Sequence, residues 1–344
     1  MISKAIEKFN IFSSESIIRN KPINLIDEDL ALFKNEIKRN FKKVEYLKLK
    51  NAMILCNGVV FKDKLYLKEY FNTSRIKLRH YIKYYILFFL NYIFSYKKIK
   101  SDKAILITDH YSGSFFHWFG DVLQKLELIK NKKNLNSYTI IFPYETISEY
   151  AEYTLVKYNL NYIILNKYRK ATINELIILP HLSSPTGNFR PELVTRIRNR
   201  FRIRDDINKN LRIFISREKA ERRKLLNEYE LIPVLKKYNF KIVYMEELNF
   251  RSQIELISKA NILIGLHGAG LTNMLWLPKK SKVLEIRARN DNSNNCYFSL
   301  ASALGLDYYY LLSKNKEYKN IYDAELFVDL KDFKRTIEII INDQ

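Results

Sequence analysis

From residue 211 onward, short apolar runs alternate with helix-length stretches in a regular order. Runs 212–215, 241–245, 261–264, 282–286 and 307–312 are rich in Ile, Leu, Val and Tyr. Stretches of helical spacing at 228–238, 250–259 and 297–304, and a glycine-rich loop leading into a helix, separate them. A near-continuous apolar run of strand length is a strand covered on both faces. Strand-helix alternation of this kind specifies a parallel sheet with helices on both sides, so the fold class expected is α/β. Residues 330–341 add a terminal amphipathic helix.

The first half is less regular. Apolar runs 52–56 and 59–61 flank Asn57-Gly58, the signature of a short hairpin. Runs 104–108, 138–142, 162–165 and 176–179 are further strand candidates, with a helix expected at 115–129. Asp27, Glu28 and Asp29 precede Leu30, Leu32, Phe33 and Ile37, which reads as an amphipathic helix with acidic residues in its first turn. The character changes over 183–206, where the turn-rich Ser183-Ser-Pro-Thr-Gly-Asn188 leads into a basic stretch, Arg190 to Arg204. A domain boundary is expected there. The division read is 1–195, with 1–100 divergent and basic, then 196–325, then a C-terminal helix in 326–344.

A length of 344 residues accommodates about two domains. A hydrophobic fraction of 47% supports sizeable cores, and 8 Gly with 7 Pro excludes collagen-like or linker-rich chains. Cys56 and Cys296 are too few for a disulfide framework or a cysteine-rich zinc module. The formal net charge is +22, of which residues 1–100 carry +12. A basic surface attracts any polyanion. No zinc-finger spacing, basic heptad helix or glycine-flanked aromatic RNA motif is present, and no nucleic-acid partner is expected. Residues 84–96 are strongly apolar and tyrosine-rich between lysines, yet too short to span a bilayer. Two readings stand: a helix in the headgroup region of an anionic membrane, engaging residues 83–100, or a buried helix. No apolar stretch with a cleavage site opens the chain, so a cytoplasmic location, peripheral on the inner membrane face, is expected.

Three constellations carry chemistry. The first is Ile264-Gly-Leu-His-Gly-Ala-Gly-Leu-Thr-Asn273, between a buried strand and a helix. Gly268, Ala269 and Gly270 let the backbone approach a ligand, and the following N–H groups favour an anion, most simply a phosphate. His267 is read as a phosphate partner or as a cap for the turn. The loop is neither the Rossmann fingerprint nor the P-loop. The second is Ser216-Arg217 at the carboxyl end of strand 212–215, followed by Arg222, Arg223, Asn227 and Glu228. A guanidinium on that rim can grip a diphosphate, whereas a solvated basic turn would use the same residues. The third is His117 with Asp121 one helical turn later, on one helix face. A carboxylate beside an imidazole orients a general base, although a polar first turn would look alike. Glu285 closes a buried strand on the rim and is read as accepting ribose hydroxyls or pairing with an arginine. The five histidines are scattered, and no metal site is expected.

These pieces together resemble glycosyltransferase family 61. They occur in family order: Phe116-His-Trp-Phe-Gly-Asp121, Ser216-Arg217 with Arg223 and Asn227-Glu228, His267-Gly-Ala-Gly-Leu-Thr-Asn273, Leu277-Pro278 and Val283-Leu-Glu-Ile286. The similarity runs from about residue 104 to 312. The resemblance implies a GT-B fold, two Rossmann-like domains facing a central cleft. It implies an inverting transfer from a nucleotide-sugar, typically a UDP-sugar, with no metal and no further cofactor. Arg217, Arg223, His267, Gly268, Ala269, Gly270, Asn273 and Glu285 would bind the donor, and His117 or Asp121 would be the base. The acceptor expected is a glycan or lipid-linked glycan of bacterial surface polysaccharide, capsule or lipopolysaccharide. Two rival classes were weighed: a non-catalytic basic protein of nucleic acid or membrane surfaces, and a dinucleotide-dependent oxidoreductase, for which the fingerprint glycines are poorly placed.

Overall fold

The apolar runs of the two halves pair into two separate sheets. The computed structural model describes residues 6–62, 64–65, 97–166, 169–201, 210–315 and 324–343, with the single residues 82, 86, 89, 90 and 93. The chain divides into one unit of Met1–Glu15 with Asn40–Thr186 and a second of Ser16–Arg39 with Gly187–Gln344. These bounds differ from the expected 1–195, 196–325 and 326–344. The break falls at Thr186, residues 16–39 belong to the second unit, and so does the C-terminal helix.

In the first unit the strands are β1 (Ile6–Phe12), β2 (Glu15–Ile18), β3 (Lys38–Phe41), β4 (Val44–Leu55), β5 (Val60–Lys62), β6 (Lys64–Leu65), β7 (Lys97–Leu106), β8 (Thr139–Pro143), β9 (Tyr162–Leu165) and β10 (Arg169–Ile178). β2 and β3 form a separate two-stranded ribbon where the chain leaves and re-enters the unit. The main sheet has the order β6-β5-β4-β10-β7-β8-β9, with β1 on β4. β10, β7, β8 and β9 run parallel, and β4 is antiparallel to β10. At one level β4, β10 and β7 carry Asn51, Asn174 and Asp102. Asn51 has φ 53°, and the Asn174 amide there bonds Asp102 at 2.9 Å. Ile54, Ala171 and Ile173 from one side of that line share a core with Ala104, Leu106, Leu176 and Ile178 from the other. β8 lies on one side of β7 and β10 on the other, so strand order reverses between β7 and β10. In open parallel sheets ligands bind outside the strands' carboxyl ends at such a reversal.

The second unit holds β11 (Leu211–Ile215), β12 (Phe240–Val243), β13 (Ala260–Leu266), β14 (Lys282–Arg287) and β15 (Asp307–Leu312). All pairs are parallel, in the order β12-β11-β13-β14-β15. This is the doubly wound order 2-1-3-4-5, with its reversal between β11 and β13. Helices Glu228–Lys237 and Leu330–Asn342 pack Leu231, Leu235, Phe333, Ile337 and Ile340 against Phe214, Ile264, Leu284 and Tyr309. Helix Leu30–Ile37 inserts the fully buried Phe33, whose ring meets Phe298 at 5.3 Å and Tyr310 at 5.0 Å. The segment before it runs along the sheet edge, Ile23 N–H donating to Tyr308 O at 2.9 Å. Arg19 is buried with it and bonds Glu36, Asn188 and Ser299. The basic stretch near 190–204 is partly used inside. Arg190 and Arg198 of helix Pro191–Arg200 and its cap are buried, and Arg198 donates to Leu277 O.

The apolar segment 84–96 lies largely outside the described residues. Ile82, Ile86, Phe89, Leu90 and Ile93 are helical and exposed. Among the described residues no helix is long and apolar enough to cross a membrane.

Candidate functional site

Both sheet reversals gather polar side chains. In the first unit, β7 and β10 end side by side, Leu106 opposite Ile178, and the ladder extends by Leu179 N–H to Leu106 O at 2.9 Å. The loops leaving these ends therefore place Asp109 and His181 together, with His181 Nε2 2.8 Å from Asp109 Oδ2. The helix over residues 115–131 then crosses the rim. It is not a regular α-helix. Trp118–Val122 forms a π-helical turn, and the Leu123 N–H bonds Trp118 O. The wide turn leaves the Gly120 carbonyl to be met by the Gln124 amide at 2.5 Å. Such turns recur at functional sites, because they reset the phase of the side chains around them.

On this helix His117 Nδ1 lies 2.7 Å from Asp121 Oδ2. Thr186 Oγ1 donates to the same oxygen at 2.7 Å and stands 3.2 Å from His117 Nδ1. The Tyr111 ring stacks on His117 at 5.2 Å. The His117 ring is about one-fifth exposed, and all its polar contacts are at Nδ1. Nε2 makes no hydrogen bond among the described residues, as a general base awaiting a substrate proton requires. Asp121 is buried, and its other oxygen lies 3.1 Å from His181 Nδ1. Burial opposes its charge, yet His181 and His117 outweigh burial and hold Asp121 far below the ordinary carboxylate range. Burial works the same way on Asp109, and the His181 bond and Lys125 still bring it down to about 2. His181 went unnoticed in the sequence. The available signal was Pro180-His181 just past an apolar run, but nothing local pairs that run with 104–108.

In the second unit the reversal brings Ser216-Arg217 after β11 beside His267-Gly268 after β13. Glu228 receives the Ser216 hydroxyl and the Arg217 N–H, closing the turn. The Arg217 guanidinium donates to Arg222 O at 2.6 Å and Arg223 O at 3.3 Å, so it shapes the 217–223 loop. Arg223, at φ 54°, carries its own guanidinium to His267 O at 3.4 Å. Burial first, and then the charge of Arg223, hold Arg217 below its ordinary value. Two like charges kept this close favour an anion.

The glycine loop opens a 3-10 helix, Ala269–Trp276, where an α-helix was expected. A Cβ at Gly265 would stand 3.1 Å from Leu271 Cδ2 and one at Gly270 3.2 Å from Ile215 Cγ2, so both glycines serve close packing. A Cβ at Gly268 would meet nothing nearer than Arg223 Nη1 at 3.7 Å. The chain's own packing leaves that position room for a side chain, and the open face is the one Arg223 borders. Asn273 is buried and ties Gln253 to Gly270 O, both at 3.1 Å. Glu285 does not present itself to a ribose. It is fully buried, with His267 Nδ1 at 2.5 Å and the Tyr308 hydroxyl on its other oxygen. It orients His267, whose ring edges onto Tyr297 at 5.0 Å. Asn227 likewise serves structure, bonding Val328 through both amide atoms. Among the described residues no group of three or more His, Cys, Asp or Glu is arranged to hold a metal ion.

Parallel sheets with polar groups at their reversals define a Rossmann-like α/β protein. Residues 115–284 match the family model described as Glycosyltransferase 61. The EGF domain-specific O-linked N-acetylglucosamine transferase of Bos taurus is 35% identical over 111 residues, which are 31% of this chain and 21% of that protein. The enzyme of that name from Drosophila melanogaster is 38% identical over 101 residues, 28% of this chain and 19% of that protein. The protein O-linked-mannose beta-1,4-N-acetylglucosaminyltransferase 2 of Takifugu rubripes is 37% identical over 103 residues, 28% of this chain and 18% of that protein. The chain thus spans about a fifth of the length of these relatives. The stretch that matches the family model is just under half of the chain.

Proposed function

We propose that the chain is an inverting, metal-independent glycosyltransferase of GT-B type. The donor is a nucleotide-sugar, with a UDP-sugar the first candidate, and the acceptor is a glycan or lipid-linked glycan of a surface polysaccharide. The observation that carries the donor half is the convergence of Arg223, Arg217 and the open Gly268 position at one strand reversal. The relatives are named as N-acetylglucosamine transferases, so that sugar is the first to test.

An inverting transfer is one in-line displacement. The acceptor oxygen bonds the anomeric carbon as the bond to the diphosphate oxygen breaks, and the electron pair leaves with the diphosphate. Two guanidiniums and a helix N-terminus stabilise that leaving charge without rearranging. The acceptor hydroxyl loses its proton to His117 Nε2, and Asp121 stabilises the imidazolium formed.

Thermal unfolding with UDP-, GDP-, CMP- and dTDP-sugars, with and without a metal chelator, tests the donor half. A ligand that binds only the native state raises Tm by mass action. The expected outcome is a shift with one nucleotide class that survives the chelator and is lost in Arg223→Ala. No shift with any nucleotide removes the reading. The base is tested separately. His117→Ala is expected to lose transfer by about 100-fold or more while still binding nucleotide, and full turnover would remove it from that role.

A further inference from the structure

Among the described residues, His181 is an enclosed imidazole that the proposed reaction does not use. It is buried between two carboxylates, 2.8 Å from Asp109 Oδ2 through Nε2 and 3.1 Å from Asp121 Oδ1 through Nδ1. A neutral imidazole has one N–H and could serve only one of them as donor. The Nδ1 contact is at ion-pair distance without hydrogen-bond geometry, and two carboxylates this close to one buried ring favour its imidazolium form.

The groups around it come from every neighbouring element. Asp109 and His110 stand in the loop after β7. Asp121 and Lys125 lie on the crossing helix, with His117 beyond Asp121, and Thr186 closes the far side. Lys125 is buried, and its Nζ donates to Ile107 O at 2.7 Å. Partial burial of the ring holds His110 below its ordinary value. The buried charges are then the two carboxylates against Lys125 and His181. If His181 were neutral, one carboxylate charge would be uncompensated. Uncompensated charge in a low-dielectric site is costly, and the nearest group able to take up a proton and balance it is His117.

We propose that His181 is a positioning residue: as a buried imidazolium it balances Asp121, so that His117 keeps a single proton on Nδ1 and a bare Nε2. The inference deepens the reading of His117 as the base and rests on it for its catalytic meaning. Without His181, the Asp121 charge would load a second proton onto His117 and silence it at neutral pH. The electrostatics agree. Burial disfavours the imidazolium, but Asp121 and the Asp109 bond outweigh burial and the opposing Lys125, and raise His181 to about 9.

The test is nitrogen NMR of isotope-labelled histidine in the full chain, assigned by single substitutions. In the unaltered protein at neutral pH, His181 is expected to be protonated on both nitrogens and His117 on Nδ1 alone. In His181→Gln, His117 is expected to be protonated on both, and the acidic limb of the pH–rate profile to move up by about one pH unit. A neutral His181 in the unaltered protein overturns the proposal, and needs no variant to fold. An unchanged His117 protonation state in a folded His181→Gln also overturns it, since a merely structural histidine would leave that state alone. Failure of the base assignment itself would show elsewhere, as full turnover in His117→Ala, with these protonation states unaffected.

Discussion

At the residue scale, the loop glycines separate packing from binding. Gly270→Ala forces a Cβ to 3.2 Å from Ile215 Cγ2 and is expected to destabilise by about 1–3 kcal/mol. Gly268→Ala places its Cβ at an ordinary 3.7 Å from Arg223 and is expected to leave Tm unchanged while weakening nucleotide binding. Melting curves with and without nucleotide check both. His181 adds a pH signature. Its folded value near 9 lies above the unfolded 6.5, so its contribution is complete below pH 6.5 and is lost as pH rises through 9. The loss is on the order of 3 kcal/mol. Urea midpoints across that range are expected to fall, and to fall less in His181→Gln. Single residues were also where the sequence misled. Glu285 stands at the expected rim, yet its carboxylate is turned inward to His267 and Tyr308. Chain position indicates which strand end a residue occupies, whereas burial depends on the neighbouring strand.

At the element scale, the helix over 115–131 was legible from its periodicity, but its π-helical turn was not. The spacing on either side of it reads as helix, and a phase shift of one residue does not stand out in a stretch this short. Within that turn the Gln124 amide donates to Gly120 O at 2.5 Å. Gln124→Leu removes this buried hydrogen bond and is expected to cost about 0.5–1.5 kcal/mol and to loosen the turn that carries His117, lowering turnover. Urea titration and kinetics distinguish the two effects. The helix Leu30–Ile37 was equally legible from its apolar face, although Asp27, Glu28 and Asp29 form a separate 3-10 turn ahead of it and not its first turn. What it packs on was not. Phe33 is fully buried among Phe298, Tyr308 and Tyr310 with the Arg287 guanidinium over its ring at 5.0 Å. Phe33→Ala is expected to cost about 3–5 kcal/mol, read as a lower urea midpoint.

At the scale of the whole molecule, membership of a unit follows contacts and not chain order. Residues 16–39 supply Arg19, Ile23 and Phe33 to the unit formed by 187–344. A fragment of 187–344 alone would expose Phe298 and Tyr308. It is expected to be proteolysed rapidly, while the same fragment carrying 16–39 by fusion resists. Equal protease resistance would show that the segment is dispensable. The sheet of the second unit follows from the sequence, because strand length and helix spacing are local and periodic, whereas β1 and the first part of β4 lie in a charged stretch with no clear apolar run. The residues that stand at strand ends follow from it as well: His267 to Gly270 after β13, Arg217 after β11, and the His117–Asp121 pair on one helix face. Strand order is not local. Only the tertiary structure decided that β10 lies beside β7, which brings His181 to Asp109 and Asp121, and that residues 16–39 cover the far sheet. Each of these depends on loops closing over tens of residues. The free energy that closes them comes from the apolar surface buried at the end, which no short window of sequence contains.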